Sequence, residues 1–187
     1  MPMKRALGLL LVLLTITGCA PAGDKDRSRE RGDRLGGLQG YTLAPDAVDA
    51  IKAARRFAAE KGSGLVTPGL LALGVLADDT GTAREVARAR KVDLVALTAA
   101  LHALPSGPHR DATLGDRAPY SAAAQKALGR AMDHAAALEH PNLLGADILF
   151  GISADGEEPA ARTLAAAGLD SGAITAAVRN LPTPPSS

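Results

Sequence analysis

The chain has 187 residues, 47% of them hydrophobic, yet only 2% are aromatic and none is Trp. Formal net charge is +1, and loss of Lys4 and Arg5 with a leader leaves 19 basic against 20 acidic groups. Near-neutrality argues against a dedicated nucleic-acid binder, whose footprint is a basic excess on one face. The length fits one domain or two small ones. The apolar content is mostly Ala, Leu and Val. Ala is the best helix former, and β-branched and aromatic strand signals are sparse, so the composition predicts an all-α protein.

In chain order, Lys4-Arg5 is followed by an apolar run from Ala6 to Ile16. A bilayer span needs about 20 apolar residues, and this run is shorter, as in the h-region of a signal peptide. It ends in Ile16-Thr17-Gly18-Cys19, which resembles the bacterial lipobox. That resemblance implies a signal peptide at 1–18, cleavage between Gly18 and Cys19, and lipidation of Cys19, the only cysteine. Residues 19–40 are then an anchor followed by a mixed-charge run, Asp24 to Arg34, without apolar periodicity. Such a stretch cannot bury a core and is expected to be a flexible tether spanning roughly 25 Å.

A first unit is expected over 41–104. Pro45 suits a first helical residue; Val48, Ile51, Ala54 and Ala58 follow at helical spacing. Thr67-Pro68 reads as cap and first residue of a second helix, so apolar that it should be buried. Thr82-Ala83-Arg84-Glu85 reads as a capping box opening a third. Asp93 caps a fourth, ended by Pro105. Residues 105–119 form a linker, and 120–181 repeat the plan: Ser121 as cap, Ile148 to Ile152 as the apolar helix, Pro159 in the third, Asp170 as the last cap. The tail, 182–187, is expected to be disordered.

The two units are copies. Asp93, Thr98, Ala99, Ala100 and Leu104 recur as Asp170, Thr175, Ala176, Ala177 and Leu181, 77 residues later. Ile51 and Leu128 keep that offset, whereas pairing Leu70 with Ile148 requires 78, implying a residue missing near Gly62 to Gly64. The fold expected is two pseudo-repeats of a four-helix unit.

A duplicated four-helix unit with a Leu-rich second helix resembles the amino-terminal repeat domain of the Clp ATPases. Tyr120-Ser121, Leu128, Ala131 and Ala135 match the opening of that family's unit. Ile51, Ala54 and Ala58 match in the first copy, where the aromatic-Thr start is blurred. The family's Thr-Glu-His-Leu-Leu reads here Thr67-Pro68-Gly69-Leu70-Leu71 and Gly145-Ala146-Asp147-Ile148-Leu149; the apolar half survives. The resemblance implies a domain that docks adaptors or substrate segments, apart from any ATPase module. No Gly-Lys dipeptide occurs, so no phosphate-cradling Walker loop exists, and the resemblance implies no cofactor and no nucleotide partner. In some relatives the motif's Glu helps bind charged groups; Pro68 and Ala146 stand there uncharged, so that activity is not carried over.

Catalytic constellations are weak. Gly151-Ile152-Ser153-Ala154-Asp155 misses the nucleophile elbow at its last position and follows a helix rather than a strand. His102, His109, His134 and His140 form no metal motif; six residues apart, His134 and His140 do not share a helical face, so surface or capping roles are expected. Asp78-Asp79 and Glu157-Glu158 fall in equivalent turns and read as solvated helix-start acids, or as a weak docking site for a basic partner. Arg84, Arg88 and Lys91 form a stripe expected to face solvent.

The function expected is therefore a non-catalytic, lipid-anchored module on the extracytoplasmic face of the membrane, binding a protein or peptide in the groove between the units. Candidate contacts are Thr67, Gly69, Leu70, Tyr120, Ser121, Asp147 and Ile148, where the copies differ or open. Alternatives are a cytoplasm-facing recruiter for a Clp protease, a cell-envelope hydrolase, and a structural spacer.

Overall fold

The computed structural model describes residues 41–109 and 118–181. The stretches expected to be a signal peptide and tether (1–40, with Cys19), the tail (182–187) and residues 110–117 of the linker lie outside the described residues. Among the described residues eight helices follow in order: α1 Pro45–Glu60, α2 Pro68–Ala77, α3 Thr82–Ala89, α4 Leu94–His102, α5 Ala122–Ala137, α6 Gly145–Ser153, α7 Pro159–Ala166 and α8 Ser171–Val178. No strand occurs among the described residues; three isolated bridges do. No described helix is long and apolar enough to cross a membrane.

Local chemistry sets the helix starts. Thr67 Oγ1 accepts from Leu70 N, Ser121 Oγ from Ala124 N, Asp93 Oδ1 from Val95 N and Ala96 N, and Asp170 Oδ1 from Ala173 N. Each satisfies amides that the helix itself leaves open. Pro45, Pro68 and Pro159 sit at first helical positions. Thr82 behaves otherwise than expected: Gly81 is the cap, and the Thr82 side chain makes no local capping bond. Its hydroxyl donates instead to Asp46 Oδ2 at 2.7 Å, far along the chain.

The offset of 77 holds without a break. Gly74 packs on α1, where an added Cβ would fall on the Ala50 carbonyl oxygen and crowd Ala54; Gly151 packs on α5 against Ala127 and Ala131 in the same way. Left-handed residues also pair at 77: Gly62 (φ 62°) with Glu139 (56°), and Lys91 (56°) with Gly168 (82°). Each ends a helix with a bond from the following amide back to the sixth residue, as from Ser63 N to Ala58 O and His140 N to Ala135 O. No residue is missing from the first unit. Leu70 therefore corresponds to Asp147 and Leu71 to Ile148; the apparent offset of 78 came from matching the wrong leucine.

The units interlock. Leu43 bridges Leu143, and Val66 bridges Tyr120, so each unit's lead-in pairs with the other's loop before its second helix. The bonds are reciprocal: Ala44 N to Leu143 O and Leu143 N to Thr42 O in one, Ser121 N to Val66 O and Val66 N to Pro119 O in the other. α2 and α6 run through the middle, with Leu71, Leu76, Ile148, Leu149 and Ile152 all but sealed from solvent. Each such side chain contributes about 1.5–3 kcal/mol by burial.

Candidate functional site

Two features stand out, a buried polar cluster in the second unit and an open groove between the units. The cluster centres on Asp147, at 0% exposure. Its Oδ1 lies 2.7 Å from His134 Nδ1; Oδ2 lies 3.0 Å from His140 Nδ1 and accepts from Leu144 N at 3.0 Å. His134 is stacked on Phe150 with centroids 3.8 Å apart, and its Nε2 lies 3.2 Å from Thr175 Oγ1. His134 and His140 thus have neither the surface nor the capping role expected, whereas His102 and His109 are exposed and His102 closes α4. α5 ends at Ala137, and the left-handed Glu139 turns the chain so that His140 points back at the carboxylate. The first copy carries Phe57, Ser63 and Leu70 at the positions of His134, His140 and Asp147.

The order hydroxyl, imidazole, carboxylate is that of a nucleophilic triad, but the proton is misplaced. Thr175 Oγ1 donates to Ser171 O one turn back, at 2.9 Å. A nucleophile must offer its proton to the base, and here the ring meets an oxygen whose proton is already committed. Ser153 is likewise spent, donating to Phe150 O at 2.9 Å at the end of α6. Among the described residues no group of His, Cys, Asp and Glu is arranged to hold a metal ion.

The first acidic turn is also engaged, whereas the Glu157 and Glu158 carboxylates make no hydrogen bond or ion pair among the described residues. Asp78 accepts from the Thr80 amide and hydroxyl, which hold its carboxyl below the usual value, with Gly81 N–H and Arg84 adding to the effect. Arg84 pairs with Asp79 at 2.7 Å and donates to Leu76 O; Arg88 donates to Asp79 O. Arg84 and Arg88 therefore fold over the α2–α3 turn, while Lys91, the third member of the stripe, faces solvent as expected. His102, closing α4, meets Phe57 edge-on at 5.7 Å, and Lys61 Nζ donates to its carbonyl. His109 Nδ1 lies 2.7 Å from Gly62 O.

The groove, about 720 Å³, runs between α4 of the first unit and α7 of the second. Alanines such as Ala96, Ala100 and Ala166 line it with Leu97 and Leu104; Lys91 and Arg162 supply its positive charge and Asp93 its negative one. Beside it Val95 is 81% exposed, although α4 is otherwise nearly all apolar. Apolar-all-round helices are normally covered; this one is open on its outer face.

Of the residues expected to bind a partner, none lines this groove. Leu70, Tyr120, Asp147 and Ile148 are interior, Leu70, Asp147 and Ile148 within the central helices α2 and α6 and Tyr120 in the bridged lead-in to α5. Thr67 and Ser121 are half-buried and cap helices. Gly69 lies behind the groove wall: a Cβ there would come within 3.1 Å of Leu104 Cδ1. Sequence reasoning passed over Arg162 and read Lys91 only as part of a stripe.

The fold is that of a double-repeat helical domain. The chain belongs to the family described as Clp repeat (R) N-terminal domain, whose model matches residues 42–167. Solved structures share the fold. The Hsp104 N-terminal domain from Candida albicans aligns with TM-score 0.59 at 14% identity, covering 74% of this chain and 90% of that one. The N-terminal domain of the chaperone ClpD from Arabidopsis thaliana gives 0.53 at 19%, covering 73% and 94%. The N-terminal domain of the ClpV1 ATPase from E. coli gives 0.58 at 16%, covering 81% and 90%. No curated protein matches the sequence significantly.

Proposed function

We propose that this protein is a non-catalytic protein- or peptide-binding module, held on the extracytoplasmic face of the membrane by lipid on Cys19. The observation that carries the binding reading is the open α4–α7 groove, lined largely by small apolar side chains. Membership of a family whose domain serves protein interaction in Clp ATPases supports it. The anchor rests on the charged start, the apolar run and Ile16-Thr17-Gly18-Cys19. Two or more acyl chains give stable attachment.

A photo-crosslinking amino acid at Ala100 in the groove, in the full chain in cells, tests the binding reading. A defined partner is expected from Ala100 and not from exposed Ala136 on α5; equal or absent capture from both positions overturns it. Mass spectrometry of the mature amino terminus is expected to find diacylglyceryl-modified Cys19. An intact leader with unmodified Cys19 overturns the anchor and favours the cytoplasm-facing alternative.

A further inference from the structure

The duplication supplies an internal comparison for the groove. By the offset of 77, the α4–α7 groove has a sister location between α8 and α3. Where the groove has Lys91, Arg162 and neutral Ala167, the sister has Gly168, Glu85 and Arg90. The groove thus carries two cations at positions where its sister carries one of each sign. Asp93 also lines it, but its Oδ1 accepts from Val95 N and Ala96 N, so that charge is offset by the amides opening α4. Lys91 and Arg162 are exposed and make no side-chain hydrogen bond or ion pair with described residues. Lys91 moreover stands at φ 56°, in the left-handed region where the other copy has Gly168, so its side chain is kept at a position that favours glycine.

We propose that the groove selects an acidic, apolar peptide segment, with Leu-sized side chains on the alanine floor and carboxylates meeting Lys91 and Arg162. This rests on the binding reading above and gives the partner its chemistry. The shallow floor of Ala96, Ala100 and Ala166 takes ridges from the ligand rather than supplying them. The two cations set sign and register, the part that charge plays in recognition.

A phage-displayed library of random twelve-residue peptides, selected on the immobilised full chain, tests the proposal. Recovered peptides are expected to be enriched in Asp and Glu beside Leu, Ile or Phe. Chemically made copies should bind about tenfold more weakly to Lys91→Gly/Arg162→Glu, which gives the groove its sister's residues at the two cationic positions. Lys91→Gly alone is expected to melt no lower than the parent, since Gly accepts the left-handed backbone, so weaker binding by that variant is not a folding defect. Enriched peptides that are neutral or basic, or acidic peptides indifferent to both substitutions, overturn the acidic preference and leave the binding reading standing. No enrichment at all overturns both.

Discussion

Asp147 is a carboxylate sealed from solvent whose oxygens are all engaged, by His134, His140 and the Leu144 amide. Buried charge is tolerated when each lone pair finds a donor. Removing one member of such a set leaves the others stranded, at a cost of about 3–5 kcal/mol. Asp147→Leu, the first copy's residue, is expected to lose that much by urea unfolding, and adding His134→Phe should recover part of it by removing an orphaned ring. Tyr120 makes the opposite case. Burial pushes its hydroxyl above the ordinary value, opposed by the Arg55 guanidinium 5.6 Å from the ring centroid. A group raised in the folded state gives stability that is whole below its unfolded value, near 10, and is lost as pH climbs through the folded one. Melting curves from pH 8 to 11 should therefore show Tyr120→Phe gaining on the parent as pH rises.

At the scale of elements, Asp46 joins three helices. Its Oδ2 accepts from Thr82 N, Thr82 Oγ1 and Gly145 N, so one side chain on α1 satisfies the starts of α3 and α6. Thr82 Oγ1 in turn accepts from Ala146 N at 2.9 Å. The second copy has Ala123 in place of Asp46, and the partners there are Pro159 and Pro68, which carry no N–H. Where no amide needs an acceptor, none is kept. Asp46→Ala is expected to cost about 2–3 kcal/mol, the range for bonds to a charged acceptor. Gly145→Pro added to it should restore part of the loss, since proline suits a first helical position and the oxygen that an added Cβ would strike, Asp46 Oδ2, is gone. Calorimetry of the three proteins checks both steps.

Across the whole molecule, legibility followed the range of the interaction. Asp93, Asp170, Ser121 and Thr67 were readable because a cap acts within three residues of itself. The all-α fold and the duplication were readable because helical spacing and repeated residues lie in the sequence. The register through α2 and α6 was not: both helices are apolar on nearly every side, so one leucine matches as well as its neighbour, and the glycines at the crossings decide it. Asp147 reads in the sequence as a candidate partner contact because nothing adjacent shows that His134 and His140 will converge on it. Thr82 looked like a local cap although its partner, Asp46, is 36 residues away. A groove between the units was expected, but its lining was not: Lys91 and Arg162 come from different copies and meet only after folding.

The crossed bridges between the copies also bear on how the chain is made. Gly145 N must reach Asp46 across 99 residues, and Leu43 waits for Leu143 as its partner. A chain emerging amino end first holds α1 to α4 with the Leu43 lead-in unpaired and the α3 start capped by a carboxylate that still lacks α6. The first copy is therefore finished by the second, and such long-range closure is slow. During synthesis, the side of α2 that packs on α6 stays uncovered until the chain beyond Gly145 has arrived.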